Sequence, residues 1–280
     1  MLADSGFLSP APPAPPKSAA PLFDAPAVVI GVVVALLALH ALREFAPDAI
    51  QNLALVDFSF LPGRLTLYFQ PAQLGALLAK ANSDPEALRQ AAVLRQFGVL
   101  DSGPMLWTLL SYAFLHGSWT HVGMNAIWLV AFGPPVARRI GATRFLALFA
   151  VGAIAGALAH WLVGPMDFNP LIGASASDFA ITAAAARFIF QPGGPLSDAN
   201  GVSRHAPALR GPVVAASLVD LWRDQRARGF VVFWMAANLI FGIGAESLGL
   251  ADGAVAWVAH IGGFLAGLLL FPLFDRNDRR

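Results

Sequence analysis

Three short segments of this 280-residue chain carry side chains that together can perform acyl transfer. The first is His116-Gly-Ser-Trp-Thr-His121-Val-Gly-Met-Asn125, the second Gly173-Ala174-Ser175-Ala176, and the third His260-Ile-Gly-Gly263-Phe-Leu-Ala-Gly267. Serine with histidine is a nucleophile with its base, and histidine with asparagine can donate hydrogen bonds to an oxyanion. Each segment lies at or inside an apolar stretch long enough to cross a bilayer. Polar side chains are costly in hydrocarbon, so their presence there points to function. The simplest reading of the three together is serine-protease chemistry inside a membrane.

Each residue also has a plainer reading. Serine is common in membrane helices because it is small and can bond a carbonyl one turn back. Ser175 stands apart because Gly173 lets backbone approach closely and Asn169-Pro170 marks a turn. That puts Ser175 near a helix N-terminus, among unpaired amides and the positive dipole end. Ser177 is the rival nucleophile; two residues on, it faces roughly the opposite side. His260 shares a helix face with Gly263 and Gly267, which allow a neighbouring helix to pack close. A tight crossing with a satisfied core histidine would look the same. Phe179, one turn after Ser175, could stack on the imidazole.

His121 and Asn125 share a face, with His116 five residues earlier. A zinc site is the alternative, but the spacing differs from a metalloprotease pair, no Glu follows His121, and Asn is a poor zinc ligand. His40, His160 and His205 read as structural. Asp178 is open between a role at the site, a bond to a neighbouring helix and a wet cavity.

The elements that must position these groups are apolar. The chain is 57% hydrophobic and 12% charged, where soluble domains carry roughly a quarter charged residues. Its formal net charge of +1 gives no nucleic-acid patch, and the absence of cysteine excludes disulfides, thiolate metal sites and a Cys nucleophile. Residues 1–24, rich in Pro and Ala, read as a disordered cytoplasmic tail before an uncleaved first span. Apolar stretches follow at about 26–42, 105–132, 143–163, 171–190, 229–244 and 254–274. The fourth contains Asp178 and Arg187, and the fifth falls near the lower length limit for a span. The expected fold class is therefore an all-α membrane protein with a six-helix unit over 25–274 and a short cytoplasmic tail, 275–280.

Basic residues set the orientation. Arg138, Arg139 and Arg144 lie in the second connection; Arg204, Arg210, Arg223, Arg226 and Arg228 in the fourth; Arg276, Arg279 and Arg280 at the end. Asp167, Glu246 and Asp252 lie in the third and fifth. The pattern predicts N-in, C-in. The long connection 43–104 then falls on the non-cytoplasmic side and 191–228 on the cytoplasmic side. Ser83-Asp-Pro-Glu86 reads as a capping box opening a helix to about Phe97, with Leu88, Ala92 and Leu94 on one side. Leu74, Leu77 and Leu78 suggest a short amphipathic piece before it. Val213 to Arg226 reads as a surface helix with a basic face.

The segments resemble the rhomboid family of intramembrane serine proteases over about 105–274 and the first span. The family's His-x4-His-x3-Asn pattern is present as His116, His121 and Asn125. Its Gly-x-Ser-Gly motif appears as Gly173-Ala174-Ser175-Ala176, and its sixth-span His with two glycines as His260, Gly263 and Gly267. Gly133 and Gly141 look similar as well. The resemblance implies a six-helix bundle with Ser175 as nucleophile and His260 as general base. It implies an oxyanion site from His121, Asn125 and the Ser175 amide, with His116 in support. The implied substrate is a single-span membrane protein cut in or near its transmembrane segment, with the bilayer as the other partner and no cofactor or nucleic acid. Two departures are visible: Ala176 stands for the usual Gly, and the first loop lacks a Trp-Arg pair.

The competing readings are a weak or inactive rhomboid-like protein that binds transmembrane helices, with Ala176 its main support, and a transporter. Against a transporter stand the absence of a clear inverted repeat and the few intramembrane charges. The lack of a targeting segment and the Ala-rich composition fit a bacterial inner membrane.

Overall fold

The computed structural model describes residues 25–99, 102–197, 213–244 and 256–275. The N-terminal stretch 1–24, Arg204, His205, Arg210, Glu246, Asp252, Arg276, Arg279 and Arg280 lie outside the described residues. The described residues form helices α1 (Ala27–Glu44), α2 (Asp48–Phe58), α3 (Pro62–Phe69), α4 (Ala72–Lys80), α5 (Pro85–Gln96) and α6 (Thr108–Ser111). After a 3-10 turn, Tyr112–Phe114, come α7 (Trp119–Ile140), α8 (Ala142–Val163), α9 (Ser175–Ala186), α10 (Leu218–Arg223), α11 (Gln225–Gly244) and α12 (Trp257–Phe274). Among them there is no strand, only an isolated antiparallel bridge between Phe60 and Leu171. Helices α1, α8 and α12 are long and apolar enough to cross a membrane. Ile30, Val34, Leu39 and Leu42 of α1 and Leu265, Leu269 and Leu273 of α12 are exposed, an apolar exterior suited to lipid.

Several boundaries differ from those read in the sequence. The second apolar stretch, 105–132, is not one helix. Its chain turns through α6 and the 3-10 turn, and α7 begins only where the Ser118 hydroxyl accepts the His121 amide (3.2 Å). It then continues through Pro134 and Pro135 to Gly141, whose φ of 81° ends it. The fourth stretch, 171–190, is helical only over the twelve residues of α9. At 1.5 Å per residue these make about 18 Å, short of a hydrocarbon core of about 30 Å. The cap of α5 is Asp84, which accepts the Glu86 amide (2.9 Å), rather than Ser83. Its buried side is Ala87 and Leu94, while Leu88 and Ala92 are exposed. The piece around Leu74 and Leu77 is helical as α4, with Leu77 buried and Leu78 exposed. Among the described residues of the fourth connection, only Leu218–Arg223 is helical before α11. Residues 213–217 are held extended because the Ala216 amide donates to the Arg187 carbonyl and Arg187 Nε returns a bond to the Ala216 carbonyl, both 2.7 Å.

The short α9 sits inside the bundle, packed on α7, α8 and α12, and small residues are what let it fit. A Cβ on Gly152 would lie 2.6 Å from Ala180 Cβ, and one on Gly263 or Gly267 would fall onto the carbonyl oxygen of Ala176 or Ala180. The first connection is anchored rather than loose. Buried Arg64 donates to the carbonyls of Val56 (3.2 Å) and Phe97 (3.1 Å). Trp161 Nε1 donates to Thr66 Oγ1 (2.9 Å), and Thr66 Oγ1 donates to the Pro165 carbonyl.

At the other end, buried Asp275 accepts from Nε (3.0 Å) and Nη2 of Arg139, whose guanidinium lies 4.6 Å over the Phe188 ring. The pair ties α7 to the end of α12. Removing one member of a buried pair strands the other's charge, typically at a cost of about 3–5 kcal/mol. Asp275→Ala should therefore lower the thermal midpoint in detergent, whereas substitution of exposed Glu86 should leave it near the parent value. An unchanged midpoint for Asp275→Ala would show that the pair adds nothing.

Candidate active site

Residues 171–174 turn into α9, held by the Leu171–Phe60 bridge and by the Gly173 amide, which donates to the Tyr112 carbonyl (3.0 Å). Gly173 has a φ of 109°, a region L side chains avoid, and a Cβ there would lie 2.5 Å from His121 Nε2. Glycine thus serves both the turn and the close approach of the imidazole. The first amide of α9 with a backbone acceptor is Asp178, which bonds the Ala174 carbonyl (3.0 Å). By position, the amides of Ser175, Ala176 and Ser177 are the orphan donors of the helix start. Ser175 is the first residue of α9, half-buried at that positive end.

His260 lies in the first turn of α12, which starts at Trp257. Its Nε2 is 2.7 Å from Ser175 Oγ. Phe179 stacks on the ring, centroids 4.7 Å apart and planes 7° from parallel. Gly263 and Gly267, on the same face of α12, set the distance by resting against the carbonyls of α9. Ser177 is fully buried, and its hydroxyl donates to the Phe149 carbonyl (2.7 Å), so it points away from His260.

His121 and Asn125 project from α7 toward the Gly173 turn. Asn125 Nδ2 is 3.7 Å from the point a Gly173 Cβ would occupy and has no hydrogen-bond partner among the described residues. A buried donor left unsatisfied costs about 1–3 kcal/mol, and this one faces Gly173, two residues before Ser175. His116 is fully buried. Its Nε2 accepts the Ala174 amide (3.4 Å), and its ring meets His121 edge-on with centroids 5.0 Å apart. Arg43 of α1 holds the His116 carbonyl (2.6 Å). The Ala176 methyl, the one departure inside the motif, is buried against α8 where a Cβ on Gly156 would come within 2.5 Å of it.

Of the remaining candidates, His40 packs edge-on to Trp119 (4.6 Å) and His160 Nε2 lies 3.3 Å from Asp167 Oδ2. Burial pushes the Asp167 carboxyl up, but hydrogen bonds from His160 and Asn169 outweigh it and hold the group below its usual range. Asp178 is buried, and neither of its carboxylate oxygens has a hydrogen-bond partner among the described residues. A cavity of about 190 Å³ lies between His160, Asp167, Asn169, Leu171 and the start of α12 at Ala256–Val258.

One residue at the centre was missed in the sequence. Asn238 of α11, buried, has Oδ1 2.7 Å from His260 Nδ1 and donates from Nδ2 to the Trp257 carbonyl (3.1 Å). The available signal was its polarity in the otherwise apolar stretch 229–244.

The rhomboid domain family model matches residues 103–276. Among curated proteins, the chain is 27% identical over 175 residues to Rhomboid protease GlpG of Yersinia pestis, covering 62% of this chain and 50% of that protein. It is 31% identical over 75 residues to Putative rhomboid protease YdcA of Bacillus subtilis, covering 27% and 37%. It is 32% identical over 80 residues to human Rhomboid-related protein 3, covering 28% and 19%. The chain thus spans half or less of the length of these relatives. The domain match takes in α7, α9 and α12 and covers more than half of the sequence, so the chain belongs to the rhomboid family.

Proposed function

We propose that this protein is an intramembrane serine endopeptidase that cuts single-span membrane proteins in or near their transmembrane segments. The observation that carries the reading is the 2.7 Å contact between His260 Nε2 and Ser175 Oγ at the start of a buried helix. Ser175 is the nucleophile and His260 the general base. His260 takes the hydroxyl proton as Oγ bonds to the scissile carbonyl carbon. The oxygen that gains charge receives hydrogen bonds from His121, Asn125 and the Ser175 amide, each such donor being worth roughly 3–4 kcal/mol. As the C–N bond breaks, His260 passes its proton to the leaving nitrogen. Water then attacks the acyl-serine, gives its proton to His260, and Ser175 is regenerated. The cavity between His160, Asp167, Asn169 and the start of α12 has room for several waters, at about 30 Å³ per molecule.

His116 supports the turn from beneath through the Ala174 amide. The membrane unit is a six-span bundle over 25–274, N-in and C-in, with 43–104 on the non-cytoplasmic side, 191–228 on the cytoplasmic side, and a bacterial inner membrane as its location. The arginines at 138, 139 and 144 support that orientation. The helix-binding, inactive reading had Ala176 as its main support, and the burial of that methyl against Gly156 speaks for the protease reading.

The test is cleavage of a single-span substrate by full-length protein in proteoliposomes. Ser175→Ala should abolish cleavage and Ser177→Ala retain it. Equal cleavage by Ser175→Ala and wild type, or none by folded wild type against several substrates, would overturn the reading.

A further inference from the structure

Two hydrogen bonds on the far side of His260 fix a property of the ring that the serine contact alone leaves open. The Trp257 carbonyl can only accept, so the Asn238 group 3.1 Å from it is the amide nitrogen. Flipping the amide would set two acceptors against each other at that point and leave the buried Asn238 oxygen without a donor. With Nδ2 committed, Oδ1 faces His260 Nδ1 at 2.7 Å, and because Oδ1 can only accept, Nδ1 must carry the ring proton. The Nε2 lone pair is then left for the Ser175 hydroxyl, 2.7 Å away. For the neutral ring, every bond in the series Trp257 carbonyl, Asn238, His260, Ser175 has one donor and one acceptor only in this arrangement.

From this geometry we infer that Asn238 is a positioning residue. It holds His260 in the tautomer that can accept the serine proton, and it fixes the ring from the edge away from Ser175. The inference rests on the protease reading of the same site. Asn238 is 4% exposed, so water cannot readily replace it at Nδ1. Its bond also crosses from α11 to α12 and returns to the first carbonyl of α12, tying the ring to the helix end that carries it. After proton transfer the imidazolium keeps the same Nδ1–H···Oδ1 bond, which the new charge strengthens. The interaction therefore favours the charged intermediate without Asn238 itself taking a proton. Among the ionisable groups of the described residues, His121 on α7 acts on His260 through space; the neighbours on α9 and α11 are the neutral Ser175, Phe179 and Asn238.

The test compares Asn238→Leu and Asn238→Asp with wild type in the full-length protein, by cleavage kinetics in proteoliposomes and by ¹⁵N NMR of the histidine ring nitrogens in detergent. Asn238→Leu should lower kcat about 10- to 10²-fold with KM little changed, and the His260 signals should shift from the Nδ1-protonated form to a mixture of tautomers. Asn238→Asp keeps an acceptor at Nδ1 and should retain most of kcat. Its carboxylate favours the charged ring, so the base form persists only at higher pH and the acidic limb of the kcat profile should move up by about one pH unit. Folded Asn238→Leu with wild-type kcat, or with an unchanged His260 tautomer, would overturn the inference, as would an Asn238→Asp profile that does not move. The NMR readout is also made on Ser175→Ala, where no turnover is needed. Absence of cleavage by wild type would thus sink the protease reading, while an unaltered tautomer would sink this one.

Discussion

His260→Ala is expected to lower cleavage of a membrane substrate by at least about 10⁴-fold, and adding Ser175→Ala should lower it no further. Groups that act as one unit are grossly non-additive, because losing either member already forfeits the shared step. The 2.7 Å contact between Nε2 and Oγ makes Ser175 and His260 such a unit. Ser177, with its hydroxyl committed to the Phe149 carbonyl, stands outside it. Cleavage kinetics in proteoliposomes measure the loss, and labelling of Ser175 by a fluorophosphonate measures nucleophile activation without a protein substrate. Both should fall together in His260→Ala. If the single variant keeps a tenth of wild-type activity, or if the two losses multiply, another base serves Ser175 and the proposed pairing is wrong.

Gly263→Ala should cost about 10²-fold in kcat although it touches neither catalytic atom. A methyl at this position falls onto the carbonyl oxygen of Ala176, and the carbonyl carbon lies 2.7 Å away. These are backbone atoms of a helix packed on several sides, so α9 and α12 must separate. The Ser175 hydroxyl and the His260 ring ride on those same two helices, one residue before Ala176 and three before Gly263. A displacement of about 1 Å at a reacting pair is enough for a 10²-fold loss, and overpacking adds about 1–3 kcal/mol of destabilisation. Gly31→Ala on α1 is the control. No atom lies within 4 Å of its added methyl, and Gly to Ala inside a helix stabilises by about 0.5–1 kcal/mol. Full activity in Gly263→Ala would show that the interface can absorb a methyl without moving the pair.

The motif residues were legible because each reports a local requirement. Gly173 two positions before a serine announces a turn and a close approach, and the i, i+3, i+7 spacing of His260, Gly263 and Gly267 announces one helix face. Phe179 followed from the same arithmetic. Asn238 did not, since 22 residues separate it from His260 and no periodicity links one helix to the next. Boundaries were lost where side-chain chemistry overrode apolar content. Ser118 starts α7 inside what reads as one continuous span, and the mutual bonds of Arg187 and Ala216 keep 213–217 from winding into a helix. In the first connection the helical propensity around 85–96 was readable. Which face is buried was not, because that depends on Leu61, Leu67 and Phe168, which close over Ala87 and Leu94.

The brevity of α9 decides what kind of medium the nucleophile experiences. Ten of its twelve residues are buried, and its missing length is filled by protein from the 164–174 turn and the first connection. Such a helix turns almost none of its side chains to the outside of the bundle. The surroundings of Ser175 are therefore set by α7, α8 and α12 and by the glycines that bring them close. The bilayer meets this reaction centre only through the outer helices and through whatever substrate it delivers.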